Sequence, residues 1–230
     1  MIALCKDIPA LKTKSAEYVK IKCLNDAYKD DQKVLFWAQD YNKAFISLTD
    51  GNMIIYNNGA EIKELREFVA VMNPVAIYSD YETLCSIEKK PKERINIMSR
   101  KADVLCDIKG DSLSSLELYS ILDVDGLSLP QYPFFAVDYC RRLNRGMAKY
   151  FAIKDKCAII TFNTGDYAII NGLASREKGF GKIALNSAIA QNFGKELFVC
   201  CRDKVKGFYE KNGFELLYFG GYWVKNDEYN

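Results

Sequence analysis

The chain predicts an α+β protein of two tandem domains that share one architecture, each a mixed, mostly antiparallel sheet flanked by helices. Three observations carry that prediction. Apolar residues alternate with period two over short runs and then recur with a period near 3.6, in the order helix, three strands, helix, strand, helix. That order occurs twice, once on each side of a charged stretch near residues 90–102. The 230 residues are 49% hydrophobic, enough apolar material for two small cores. The boundary drawn this way gives domains 1–98 and 99–230.

In the first domain a helix over 15–28 precedes strands at 34–38, 44–48 and 53–56. A helix with Ile62, Leu65, Phe68 and Val69 on one face follows, then a strand at 75–78 and a short helix from Tyr81. The run Lys89-Lys90-Pro91-Lys92-Glu93-Arg94 reads as a solvated linker. In the second domain Ser112 or Ser114 caps a helix that carries Leu116, Leu118, Tyr119 and Leu122 and ends near Asp125-Gly126. After Pro130 and Pro133 a second helix presents Phe135, Tyr139 and Leu143 and stops at Gly146. Strands at 148–153 and 157–162 come next, then a hairpin turn, Asn163-Thr164-Gly165-Asp166, into a strand ending at Ala174. A helix over 182–193, with Leu185, Ala188, Ile189 and Phe193 inward, leads through Gly194 to a strand at 197–201. A helix at 205–212 and a strand at 216–224 complete the chain.

Composition excludes several functions. With 32 basic against 30 acidic residues the net charge is +2, and no run of five basic residues occurs, so nucleic acid is not an expected partner. No apolar run approaches the length of a membrane span. Eight cysteines (Cys5, Cys23, Cys85, Cys106, Cys140, Cys157, Cys200 and Cys201) form no CxxC pair and sit mostly in apolar runs. They read as reduced thiols of a cytoplasmic protein, with no metal site expected. The chain has no histidine. Ser-His-Asp and Cys-His catalysis are therefore impossible, and proton transfer falls to carboxylate, tyrosine, lysine, cysteine or water.

The most informative segment is Arg176-Glu177-Lys178-Gly179-Phe180-Gly181, between a strand and a helix. Glycines at a strand-to-helix turn leave backbone N–H groups open at the positive end of the helix, an arrangement that receives a pyrophosphate. Arg176, Lys178 and Lys182 add positive charge there. One strand later comes Phe208-Tyr209-Glu210-Lys211-Asn212-Gly213-Phe214. The corresponding turn of the first domain, Asn57-Asn58-Gly59-Ala60-Glu61, has one glycine, an acid and no cation, so only the second domain is expected to hold an anion.

This pair of motifs, with the elements between them, resembles the GCN5-related N-acetyltransferase (GNAT) superfamily, and the layout resembles its members with two domains in tandem, the first degenerate. The resemblance implies an acetyl-CoA-dependent transfer of an acetyl group to an amine. It implies that Leu173 and Ala174 pair with the pantetheine arm of coenzyme A. It further implies that the backbone of Glu177, Lys178, Gly179, Phe180, Gly181 and Lys182, behind Arg176, holds the pyrophosphate, and that Tyr209 protonates the departing thiolate. A tyrosine of pKa about 10 suits a thiolate of comparable basicity. Neutralising an acceptor amine at pH 7 costs about 4–5 kcal/mol, so a base or a water path is needed. Asp138, with Glu117 second, is the candidate base.

The chain departs from the family's pattern in three places. Ser175 alone separates Ala174 from Arg176, Arg202 stands where many members carry asparagine, and Leu197-Phe198-Val199-Cys200-Cys201 holds no carboxylate. The alternative reading is a non-catalytic module of the same fold that binds acyl-CoA or a protein. Gly179-x-Gly181-x-x-Ala184 with Asp203 also matches a dinucleotide fingerprint, but four residues separate the strand from the first glycine, and a meander replaces the expected βαβ units.

Overall fold

A computed structural model describes residues 1–105, 108–125, 127 and 129–225, so that Cys106 and Gly126 of the sequence expectations lie outside the described residues. Contacts group the chain into two compact units, one of residues 1–98 with 200–230 and one of residues 99–199. The last residues, assigned by sequence to the second domain, group with the first unit instead.

The first unit holds β1 (Ile2–Leu4), α1 (Ala16–Tyr28), β2 (Val34–Gln39), β3 (Ala44–Thr49), β4 (Asn52–Asn57), α2 (Ile62–Met72), β5 (Ala76–Asp80) and α3 (Tyr81–Ser86). Strands β1 to β4 form an antiparallel meander. The β3–β4 hairpin turns on Asp50 and Gly51, both at positive φ, the two-residue turn whose twist matches its strands. The crossover through α2 returns β5 parallel to β4. Alternation in β3 divides the core. Phe45 faces α1 and packs with Tyr18 and Tyr56, whereas Ile46 joins Trp37, Met53, Leu65, Val69 and Ile77 on the α2 side.

The second unit holds α4 (Ser115–Leu122), α5 (Tyr132–Asn144), β7 (Ala148–Ile153), β8 (Cys157–Thr164), β9 (Tyr167–Ser175) and α6 (Phe180–Gln191). Two further strands have residues in both units, β6 (Glu93–Lys101) and β10 (Glu196–Cys201). Strands β7, β8 and β9 form the expected antiparallel meander, and α6 returns β10 parallel to β9. Ser114 is the N-cap of α4 in a full capping box with Glu117. Asn192 reaches the buried Thr161 hydroxyl from the α6 side of β8, while the Arg142 guanidinium of α5 lies over Phe162 on the other side. Helices therefore cover both faces of the meander. The chain closes in the first unit with α7 (Asp203–Glu210) and β11 (Glu215–Val224), which runs antiparallel to β5 and buries Trp223 in the first core.

Three sequence expectations need correction. Strand β6 begins within the run read as a linker, at Glu93, and continues through the boundary stretch with Asn96, Ile97, Met98 and Ser99 buried. The three-residue β1 carries no periodic signal and was not expected. Phe193, expected inward, follows the end of α6 and is exposed, because the helix stops at Gln191 and its apolar face stops with it.

Candidate functional site

The site begins with a fault in β9. Ile160 pairs with Gly172 and Thr161 with Ile170, which leaves Asn171 as an extra, bulged residue. Pairing of β9 with β10 ends at Ile170 opposite Val199, the residue before the bulge, whereas pairing with β8 continues to Ser175 opposite Cys157. A bulge adds local twist, which accounts for the parting of the two parallel strands at this point.

The exposed edge has a definite polarity. The Arg176 amide donates to the Lys156 carbonyl at 2.8 Å. Antiparallel pairs alternate, so Gly172 and Ala174 bond to β8 while Leu173 and Ser175 direct their N–H and C=O groups the other way, where β10 no longer pairs. Of the two residues expected to meet an extended ligand, Leu173 offers its backbone to the open side. Ala174 spends its own on β8, a correction that follows from the register.

The chain then turns through Arg176 to Gly179 and enters α6 at Phe180. Gly179 has φ 91°, a left-handed conformation that costs glycine nothing. Gly181 lies in the first turn of the helix and is buried, so only the first of the two glycines is needed for a positive φ. The Ser175 hydroxyl donates to the Glu177 carbonyl at 2.7 Å and shapes the bend. The Phe180 amide donates to the Glu177 carbonyl and the Lys182 amide to that of Gly179, so these two are engaged within the turn. The amides of Glu177, Lys178, Gly179 and Gly181 have no partner among the described residues. Residues 175–179 are exposed.

Positive charge surrounds these amides. Lys178 and Lys182 are exposed and in no ion pair among the described residues. Arg176 donates to the Ser120 carbonyl in the last turn of α4 at 2.8 Å, which ties the bend to that helix. Lys156, from the β7–β8 turn, lies 4.6 Å from the Phe180 ring centroid and 3.6 Å from the Glu177 carboxylate. Sequence reasoning missed Lys156. Its only signal was the register of β8 on β9, which brings residue 156 opposite residue 176.

The equivalent turn of the first unit is closed by its own side chains. The Asn57 side chain accepts from the Ala60 amide and the Gln39 side chain from the Glu61 amide, each at 2.8 Å. The Asn58 amide donates to the Lys43 carbonyl. A helix start whose donors are already satisfied has little left for an anion.

The expected acid–base groups are less open. Asp138 accepts from Arg142 Nε at 2.7 Å, and that guanidinium is buried, so the carboxylate balances a charge inside the unit. Glu117 accepts from the backbone and side chain of Ser114 and pairs with Lys154. Those contacts hold its carboxyl below the usual range, which suits a cap and not a base. Tyr209 belongs to the first unit, where its ring is buried edge-on against Phe208 and Phe214. Burial pushes its phenol well above the ordinary value. Its hydroxyl has no hydrogen-bond partner among the described residues and is not sealed from solvent.

No protein-family model and no curated protein matches this chain. Solved structures do. A GCN5-related N-acetyltransferase from Kribbella flavida aligns at TM-score 0.54 and 10% identity, over 79% of this chain and 86% of that one. A tandem GNAT protein from the clavulanic acid biosynthesis pathway aligns at 0.51 and 9%, over 90% and 86%. A GNAT-family acetyltransferase from Colwellia psychrerythraea aligns at 0.50 and 13%, over 84% and 86%. No helix among the described residues is long and apolar enough to cross a membrane. At such low identities the likeness is one of architecture, and in that sense the chain has the fold of the GCN5-related N-acetyltransferases, in tandem form.

Proposed function

We propose that this protein is an acetyl-CoA-dependent N-acetyltransferase whose coenzyme site lies in the second unit. The observation that carries the reading is the turn at 176–181, where the amides of Glu177, Lys178, Gly179 and Gly181 have no partner among the described residues and adjoin the unpaired edge of β9. Each favourable contact of an anion with such a helix end contributes about 0.3–1 kcal/mol, and more where water is excluded. The pyrophosphate would take the amides of Glu177, Lys178, Gly179 and Gly181, with Arg176, Lys156, Lys178 and Lys182 supplying charge. The pantetheine amides would pair with the free backbone of Leu173 and Ser175, as an added strand does.

In the reaction so proposed, the acceptor's amine nitrogen attacks the thioester carbonyl carbon. The new C–N bond forms, the C–S bond breaks, the thiolate takes a proton and the nitrogen loses one. Tyr209 is proposed as the donor to sulfur on the sequence motif alone, and no described contact joins it to the turn at 176–181. Asp138 was the candidate base; its ion pair with Arg142 leaves deprotonation to ordered water leading to solvent.

The second reading, a module that binds acyl-CoA without turnover, is favoured by the packed ring of Tyr209 and the engaged carboxylates. Calorimetry with CoA separates the outcomes. Wild type should bind CoA, and Gly181→Val should abolish binding with the circular dichroism unchanged. Absence of heat at millimolar CoA would overturn the coenzyme site. Binding without acetyl-CoA consumption across a panel of amines would favour the non-catalytic module.

A further inference from the structure

The chain holds three Asn-Gly pairs, Asn58-Gly59, Asn171-Gly172 and Asn212-Gly213. Such a pair carries its own electrophile and nucleophile. The carboxamide carbon of the asparagine lies within reach of the next backbone nitrogen, and attack by that nitrogen closes a cyclic succinimide. Glycine favours the step, because no Cβ hinders the approach and its backbone turns freely. The nitrogen must give up its proton, so an amide held in a hydrogen bond reacts when the fold opens locally and not otherwise.

The structure separates the three pairs. Gly172 stands opposite Ile160 in the ladder between β9 and β8, where its amide is bonded. The Gly213 amide donates to the Glu210 carbonyl at 3.0 Å, and the Asn212 carboxamide donates to the Phe208 carbonyl at 2.7 Å. Both reacting groups of that pair are engaged. Asn58-Gly59 differs in each respect. It occupies the bend between β4 and α2, with both residues exposed. The bend is held on either side, since the Asn58 amide donates to the Lys43 carbonyl at 2.7 Å and the Ala60 amide to the Asn57 side chain at 2.8 Å. Between them, the Gly59 amide and the Asn58 carboxamide have no partner among the described residues. Gly59 has φ 82°, and nothing stands within 4 Å of where a Cβ would lie.

We infer that Asn58 is a site of spontaneous deamidation. The Gly59 nitrogen loses its proton to water or hydroxide and bonds to the Asn58 side-chain carbonyl carbon. The C–N bond of the carboxamide breaks and ammonia leaves. Water then opens the succinimide at one of its two carbonyls, giving aspartate or isoaspartate at position 58. No electron is transferred. The product places a carboxylate on the wall of a pocket of about 610 Å³ that Asp80 and Glu82 also line, so the acid excess there grows. The isoaspartyl form also lengthens the main chain by one methylene in the bend that leads to α2. The site lies within the first unit and is independent of the coenzyme reading.

Peptide mapping by mass spectrometry on the full chain tests this. Native protein and protein unfolded in guanidinium chloride are aged side by side at mildly alkaline pH, and conversion of amide to acid is followed at each pair. Native Asn58 should convert within about threefold of its unfolded rate, as expected where opening costs almost nothing. Asn171 and Asn212 should be slowed at least about tenfold by folding, the effect of a backbone hydrogen bond that must first break. Asn58→Gln, an exposed substitution, should remove the conversion at that position, because a larger ring closes far more slowly, and should leave the other two rates unchanged. An Asn58 slowed by folding as much as the other two overturns the inference. So does an Asn58 that stays intact over a period in which the unfolded chain converts.

Discussion

Glu17 and Tyr209 are the two residues whose environments the sequence could least foretell. Glu17 sits in the first turn of α1, where an acid ordinarily favours the helix from the surface. Here Tyr218, from β11, covers it and bonds both Glu17 and the Ala16 amide. Desolvation, outweighing the hydrogen bonds from Tyr218 and Ser15, raises the carboxyl above its ordinary 4.5. A raised folded-state value means that the stabilising proton is fully held below 4.5 and is lost as pH climbs through the folded value. Urea unfolding of wild type beside Glu17→Gln should show wild type losing ground as pH rises from 4 toward neutrality, and a constant gap would refute the assignment. For Tyr209 the prediction concerns function alone. Tyr209→Phe removes a hydroxyl with no partner among the described residues, so stability should change by less than about 0.5 kcal/mol. Acetyl transfer should fall at least about tenfold if the phenol is the acid. An undiminished rate in a soundly folded variant would leave Tyr209 as packing.

Most elements were legible because their signals are local. The capping box at Ser114, the apolar face of α6 and the glycine entry to that helix each occupy a few consecutive residues. Strand β6 escaped because its buried positions include polar residues that only distant partners satisfy. Asn96 donates to the Cys201 carbonyl and to Asp203, and Ser99 donates to Glu196. Read alone, Glu93-Arg94-Ile95-Asn96 has the charge of a linker. Likewise the Asp138–Arg142 ion pair follows from helical i,i+4 spacing, but the burial of Arg142 does not. Strand β11 carries a test at this scale. A Cβ on Gly221 would stand 2.8 Å from Leu84 Cδ1 and 3.0 Å from Pro91 Cβ. Leu84 can swing aside, but the proline ring yields poorly. Gly221→Val should cost about 1–3 kcal/mol in chemical denaturation, whereas Gly207→Ala, with open space around it and helical backbone, should cost nothing. Equal stability of the two variants would show that β11 does not pack as described.

The chain leaves the first unit after residue 98 and returns to it at residue 200. The first core is therefore incomplete without the last segment, since Trp223 fills it and β11 pairs with β5 from Ala76 to Asp80. A fragment of residues 1–98 should remain unfolded by circular dichroism and NMR, and a peptide of residues 200–230 added in trans should restore signal. A cooperative, fully folded 1–98 fragment would contradict that grouping. Two domains read one after another were the natural inference from a repeated order of elements. The repeat is present in the structure, with a meander, a helix and a parallel strand in each unit.

By itself the sequence determined the class of fold, the twofold order of elements and the glycine-bearing turn before α6, because periodicity and turn chemistry are written over short stretches. Tertiary structure alone decided which strands adjoin across long separations. From that followed the open edge of β9 after Asn171, the closed turn at 58–61, the burial of Glu17 beneath Tyr218, and the return of β11 to the first core. The physical reason is that a local pattern fixes which face a residue presents, while the energetic fate of that face depends on the remote group that meets it.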